Sequence, residues 1–167
     1  MAQIDAFLKL DGIKGEAQDN DHKAELEIIS WGWTMANSSS ATFGTGSGTG
    51  KVSIGELIVL KRVDSSTSSL LQSVTTGKHI GSGSLVVRKA TGGAALPYYQ
   101  LDMKEMWVTS VEQGDLHQPE NAQVGVETIK FTFVGHKFTY TQQNEDGSKG
   151  QAYSNEYNVK TNQPTMG

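Results

Sequence analysis

Gly50-Lys51 follows a run of glycine, serine and threonine, and it is the first place in this chain where residue types and spacing could do chemistry. A phosphate-binding loop needs Gly, four residues, Gly-Lys, then Ser or Thr, so that backbone amides cradle phosphate and a hydroxyl meets Mg²⁺. The first position falls on Thr45 and the last on Val52. The dinucleotide pattern G-x-G-x-x-G fails as well. From Gly44, Gly46 or Gly48 the final glycine would be Thr49, Lys51 or Ser53. A phosphate loop must also run into a helix. The stretch after it, "KVSIGELIVLKRV", is rich in β-branched residues and reads as a strand. No nucleotide site is expected, and no cofactor.

The other reactive side chains are scattered. His22, His79, His117 and His136 show no metal-ligand spacing, so no metal is expected. No serine sits in G-x-S-x-G. Glu25 and Glu27, like Asp102 and Lys104, alternate on one strand face, the pattern of a solvated surface. Acid–base work would need one carboxylate in an apolar pocket. Asn37-Ser38-Ser39 is a glycosylation sequon by pattern alone. No catalytic residue is assigned. Tyr98-Tyr99 and Trp31/Trp33 could form a sugar-stacking platform, so a β-sandwich carbohydrate-binding module is the alternative function; a hydrolase with a hidden site is a further one. Aromatics at strand spacing more often build a core.

The elements that would position these residues are mostly strands. Ile4, Ala6, Leu8 and Leu10 share one face, with Asp5 and Lys9 opposite. Leu26 and Ile28 alternate with glutamates. The phase then flips, so Ile29, Trp31 and Trp33 share a face and Ser30, Gly32 and Thr34 the other. Such a flip marks a bulge or a sheet-switching bend. Val52 and Ile54 share a face, and the run Leu57-Ile58-Val59-Leu60 is apolar on both, as in a strand through the protein's middle. Further strands are expected over 84–90, 98–107, 107–113, 124–134, 136–142 and 153–159. One helix is expected over 65–76, capped by Asp64 or Ser65 and ended by Gly77. About nine strands and one short helix give an all-β two-sheet barrel or sandwich, in a single domain over 1–167.

Composition narrows the function. The 167 residues carry a net charge of -4 with scattered lysine and arginine, so nucleic acid is not an expected partner. There is no cysteine, which excludes disulfides and thiolate metal sites. No segment approaches the ~20 apolar residues of a membrane span. The start "MAQIDAFLKLDG" is not a Sec signal peptide. The protein is expected to be made in the cytoplasm and, if it leaves, to leave by another route. The polar segment 36–50 is longer than the hairpin loops of compact domains.

Several stretches resemble the haemolysin-coregulated protein (Hcp) family, the tube protein of the bacterial type VI secretion system. They are "FLKLDGIKGEAQDNDHKAELEIISWGW", with its Ile-Lys-Gly-Glu turn and Trp-x-Trp; "GKVSIGELIVLKRVDSSTSSLLQSVTTGKH"; "LVVRKATGG" followed by "YYQLDMKEMWVTSV"; and "YNVKTNQ". The resemblance spans nearly the whole chain and rests on the order and spacing of these blocks. One departure is that Thr67, Ser68 and Ser69 stand where the family often has proline soon after the helix start. The resemblance implies a β-barrel of two sheets with a flanking helix, hexameric rings that stack into a hollow tube, and sheath, spike and effector proteins as partners. It implies secretion through that apparatus. It also implies that Thr42, Phe43, Gly44, Thr45, Gly46, Ser47, Gly48 and Thr49 form the extended loop that reaches the adjacent ring, where glycine lets the backbone adapt to a neighbour. In such a tube Ser30, Gly32 and Thr34, small and polar, are candidates for the lumen wall.

Overall fold

The computed structural model describes residues 4–39, 51–89, 95–114 and 125–167. These form ten strands and one helix: β1 Ile4–Leu10, β2 Leu26–Ile28, β3 Ser30–Gly32, β4 Met35–Asn37, β5 Val52–Ile54, β6 Leu57–Arg62, α1 Thr67–Thr76, β7 His79–Lys89, β8 Leu96–Gln113, β9 Val126–Gln143 and β10 Lys149–Asn158. The all-β architecture with one short helix is as expected. Eight strands make one antiparallel sheet in the order β2-β1-β7-β8-β9-β6-β3, with β10 also on β9.

The sheet all but closes on itself through residues 26–32. Strand β2 pairs with β1, Ala6 opposite Ile28. One residue later β3 pairs with β6, Trp31 opposite Val59. The expected phase flip is therefore a change of partner. Ile29 spends its amide on the Leu60 carbonyl at the crossing. Its side chain is 47% exposed, so it does not share the tryptophans' inward face as expected.

The core follows the alternation of two. Leu8, Leu26, Leu57, Val59, Leu85, Val87, Leu101, Ile129 and Phe131 are all fully buried. Strand β6 corrects the reading of 57–60 as a strand apolar on both sides because it is central. Leu57, Val59 and Lys61 point inward, while Ile58 is 42% exposed and Leu60 half-buried. The second apolar face looks outward.

Strands β8 and β9 are each one 18-residue strand where two were expected. The buried positions shift phase between Ile80 and Gly83 in β7, between Met103 and Met106 in β8, and between Phe133 and His136 in β9. These positions are neighbours in register: Ser82 lies opposite Lys104, and Lys104 opposite Gly135. All three strands therefore bend along one line. Glu105 sits in the left-handed region there, with φ 54°.

Helix α1 starts two residues later than expected. Ser66 holds the N-cap position, and the Asp64 carboxylate accepts its amide at 2.9 Å. Gly77, with φ 65°, ends it. Leu70 is fully buried in the barrel, and Leu71 is exposed. Strands β4 and β5 form a separate two-stranded ribbon. Ala36 and Asn37 are thus strand, and the long connection begins after them.

Candidate assembly surface

The residues picked out for chemistry are held by structural partners. His22 stacks on Phe7 at 4.5 Å and bonds Glu25 at 2.8 Å. Asp102 accepts from Ser84 Oγ at 2.7 Å and from Gln100. Glu27 is exposed. His79 is exposed beside Trp107. His136 is buried between Trp33 and Phe133, and burial holds its imidazole below the ordinary value, against a smaller opposing contribution from Asn155. His117 lies outside the described residues. No cluster of three metal-ligating side chains occurs among the described residues. Lys51 is exposed at the start of the ribbon strand β5, not at a helix.

The tryptophans are half-buried. Trp33 donates its indole N–H to Tyr99 Oη at 2.7 Å and meets Phe133 edge-on at 6.1 Å. Trp31 packs on Tyr99 at 4.4 Å, and Tyr99 on Phe138 at 5.1 Å. Three of the proposed stacking aromatics thus face one another. The fourth, Tyr98, lies under the Lys89 ammonium at 5.0 Å. Burial pushes the Tyr99 phenol above its ordinary value.

Two of the three small polar residues come together. Ser30 and Gly32 line an open cleft of about 470 Å³ with Trp31, Ile58, Leu60 and Thr128. A Cβ on Gly32 would meet nothing within 4 Å. Thr34 is exposed but lies apart, its hydroxyl over Gly55. The cleft floor is the outward apolar face of β6. Sequence showed its apolar residues but not their direction.

Two buried charge sites are invisible to local pattern. Lys61, fully buried, donates to Glu127 Oε1 at 2.6 Å, Asp64 Oδ1 at 2.8 Å and the Arg62 carbonyl at 2.8 Å. Glu127, also buried, accepts from Thr67 Oγ1 at 2.8 Å and Gln113 Nε2 at 2.9 Å. This ties β6, β8, β9 and the start of α1 together. At the other end, Arg88 is buried on Phe7 and forks onto Asp19 at 2.5 and 3.2 Å, which lowers the Asp19 pKa. The pairs are 66 and 69 residues apart in sequence, beyond the reach of spacing arguments.

Strand β10 has β9 on one side and no strand on the other among the described residues. Tyr140 and Tyr153 stack on that outer face, 41% and 50% exposed. The ribbon β4–β5 brackets residues 40–50, so the loop residues Thr42 to Thr49 lie outside the described residues. No helix among the described residues is long and apolar enough to cross a membrane.

Residues 7–140 match the family described as Type VI secretion system effector, Hcp. The curated protein hcp1 of Pseudomonas aeruginosa is 32% identical over 95% of this chain and 97% of its own length. Among solved structures, Hcp1 from Salmonella typhimurium is 34% identical, with a TM-score of 0.79 over 98% of this chain and 99% of that one. A structure described as a type six secretion system protein superposes with a TM-score of 0.88 over 96% of this chain and 99% of that one; at 23% identity it speaks to fold alone.

Proposed function

The chain belongs to the Hcp family of type VI secretion proteins, and we propose that it is a structural tube subunit: it closes into six-membered rings, the rings stack into a hollow tube, and the tube carries effectors. The observation that carries this reading is the extent of the kinship, which covers 95% of this chain and 97% of the curated relative. The mechanism is mechanical and needs no catalytic group. A cyclic ring uses two different surfaces of each copy, and the rotation closes. The open edge of β10 is the kind of surface such a ring covers. In this assembly Ser30 and Gly32 serve as wall residues of the lumen. The loop Thr42 to Thr49 reaches the next ring from the ribbon β4–β5. Sheath, spike and effector proteins are the partners. The subunit is made in the cytoplasm and leaves through the apparatus.

Particle mass tests this. Six copies of an 18.0 kDa chain give about 108 kDa by light scattering. A monomer at tens of micromolar would sink the proposal.

A further inference from the structure

Residues 159–167 fold back over the bend of β8 and β9. The Asn158 amide donates to the Gln163 carbonyl at 3.0 Å, and the Val159 amide to the Val134 carbonyl at 3.0 Å. Asn158 Oδ1 accepts the amides of Lys160 and Thr161 at 3.0 and 3.1 Å, and its Nδ2 donates to the Met166 carbonyl at 3.1 Å. The Met166 amide donates to Glu156 Oε2 at 3.0 Å. Lys104 Nζ donates to the Gly167 carbonyl. The Met166 carbonyl lies over Gly135 so closely that a Cβ there would approach it to 2.3 Å.

The returning segment is thus fastened by polar side chains to its backbone, with almost no apolar burial. Residues 160–165 are all exposed; only Val159 and Met166 are half-buried. A segment with few buried apolar contacts opens locally at low cost. We propose that residues 159–167 are a strap that opens and closes as a unit over the bend, with the Glu156 carboxylate as its catch. Met166 also forms one wall of a groove of about 490 Å³ bounded by Lys9, Ser84, Asp102 and Lys104. Release of the strap therefore removes that wall and lengthens the groove across β7 and β8.

The charge environment gives the catch a direction. The groups facing Glu156 are the Met166 amide from the strap, Lys137 of β9 at 3.4 Å and Lys104 of β8. The Met166 amide first, then Lys137, holds the carboxyl below its ordinary 4.5. A carboxylate lowered in the closed state favours closure above 4.5 and loses that contribution as pH falls through the lowered value.

The test uses the full chain with ¹³C-labelled methionine methyls, whose signals remain readable in a large ring. The inference stands or falls without any assembly. Expected at neutral pH is a dispersed Met166 signal; as pH falls from 4.5 through the lowered Glu156 value it sharpens and moves toward the position of a free side chain. Glu156→Gln should show the free position at neutral pH. So should Gly135→Ala, which places a carbon where the Met166 carbonyl lies. Met103 and Met106, fully buried, report whether each variant is folded. If Gly135→Ala loses its buried signals, Glu156→Gln decides alone. A Met166 signal unchanged in Glu156→Gln, or unchanged from pH 7 to 3 in the parent, overturns the strap.

Discussion

Two buried polar groups set the terms at the scale of single residues. The Lys61–Glu127 pair is satisfied on both sides, so each partner alone is a liability. Glu127→Ala leaves the buried Lys61 ammonium with the Asp64 carboxylate and the Arg62 carbonyl as its remaining partners, and should cost up to about 3 kcal/mol in denaturant unfolding. Replacing both with apolar residues of similar volume should recover much of that loss, because the desolvation cost goes with the charges. A double variant no more stable than Glu127→Ala would show that the pair is net stabilising in its own right. His136 works differently. Neither ring nitrogen meets a partner at bonding geometry among the described residues, and burial, against the smaller effect of Asn155, holds the imidazole below its ordinary value. Above its ordinary 6.5 the folded and unfolded chains are both neutral there. As pH falls below 6.5 the unfolded chain takes up a proton that the folded chain refuses, so stability drops. Melting temperature against pH should show this fall, and His136→Phe should flatten it. An identical slope in the variant would assign the effect elsewhere.

At the scale of elements, the bend across β7, β8 and β9 explains most of what the sequence concealed. Alternation of two reports which face is buried, and it identified nearly every strand. Where three neighbouring strands change phase together, the pattern mimics a strand ending and another beginning. That is why 98–107 and 107–113 read as two strands although the ladder continues past the break, with one register shift between Val108 and Ser110. The buried faces were legible because burial is local. The direction of Ile58 and Leu60 was not, because it depends on which side the barrel closes. The pairing of Lys61 with Glu127 was not, because tertiary structure alone brings them together. Glu105 carries the backbone strain of the bend. A non-glycine residue at φ 54° costs roughly 1–2 kcal/mol. Its side chain returns little, lying 3.9 Å from an exposed His79. Glu105→Gly should therefore leave the melting temperature equal or raised, since relief of strain offsets glycine's entropy loss. Glu105→Val should lower it. A clear drop in the glycine variant would mean that the side chain matters more than the backbone.

At the scale of the whole molecule, assembly and fold should separate under mutation. Replacing Thr42 to Thr49 with a two-residue turn should leave folding intact, because loop length changes closure entropy only slowly. Single rings should persist in electron micrographs while stacked tubes vanish. Full-length tubes from that variant would end the stacking role of the loop. Gly32→Arg probes the cleft. The site has open space around it, so the fold should survive; rings should form with altered effector retention, whereas failure to form rings would place Gly32 at a subunit interface. Strands β8 and β9 run together for most of eighteen residues, but the circuit is completed by two three-residue strands, β2 on β1 and β3 on β6. A closed cylinder yields at its shortest join, so warming or pulling should part this seam while the long strands stay zipped. The product is an open sheet with β1 and β6 as raw edges, ready to template a neighbouring chain. In the ring proposed above, the same seam that permits closure would set the point where orderly packing gives way to aggregation.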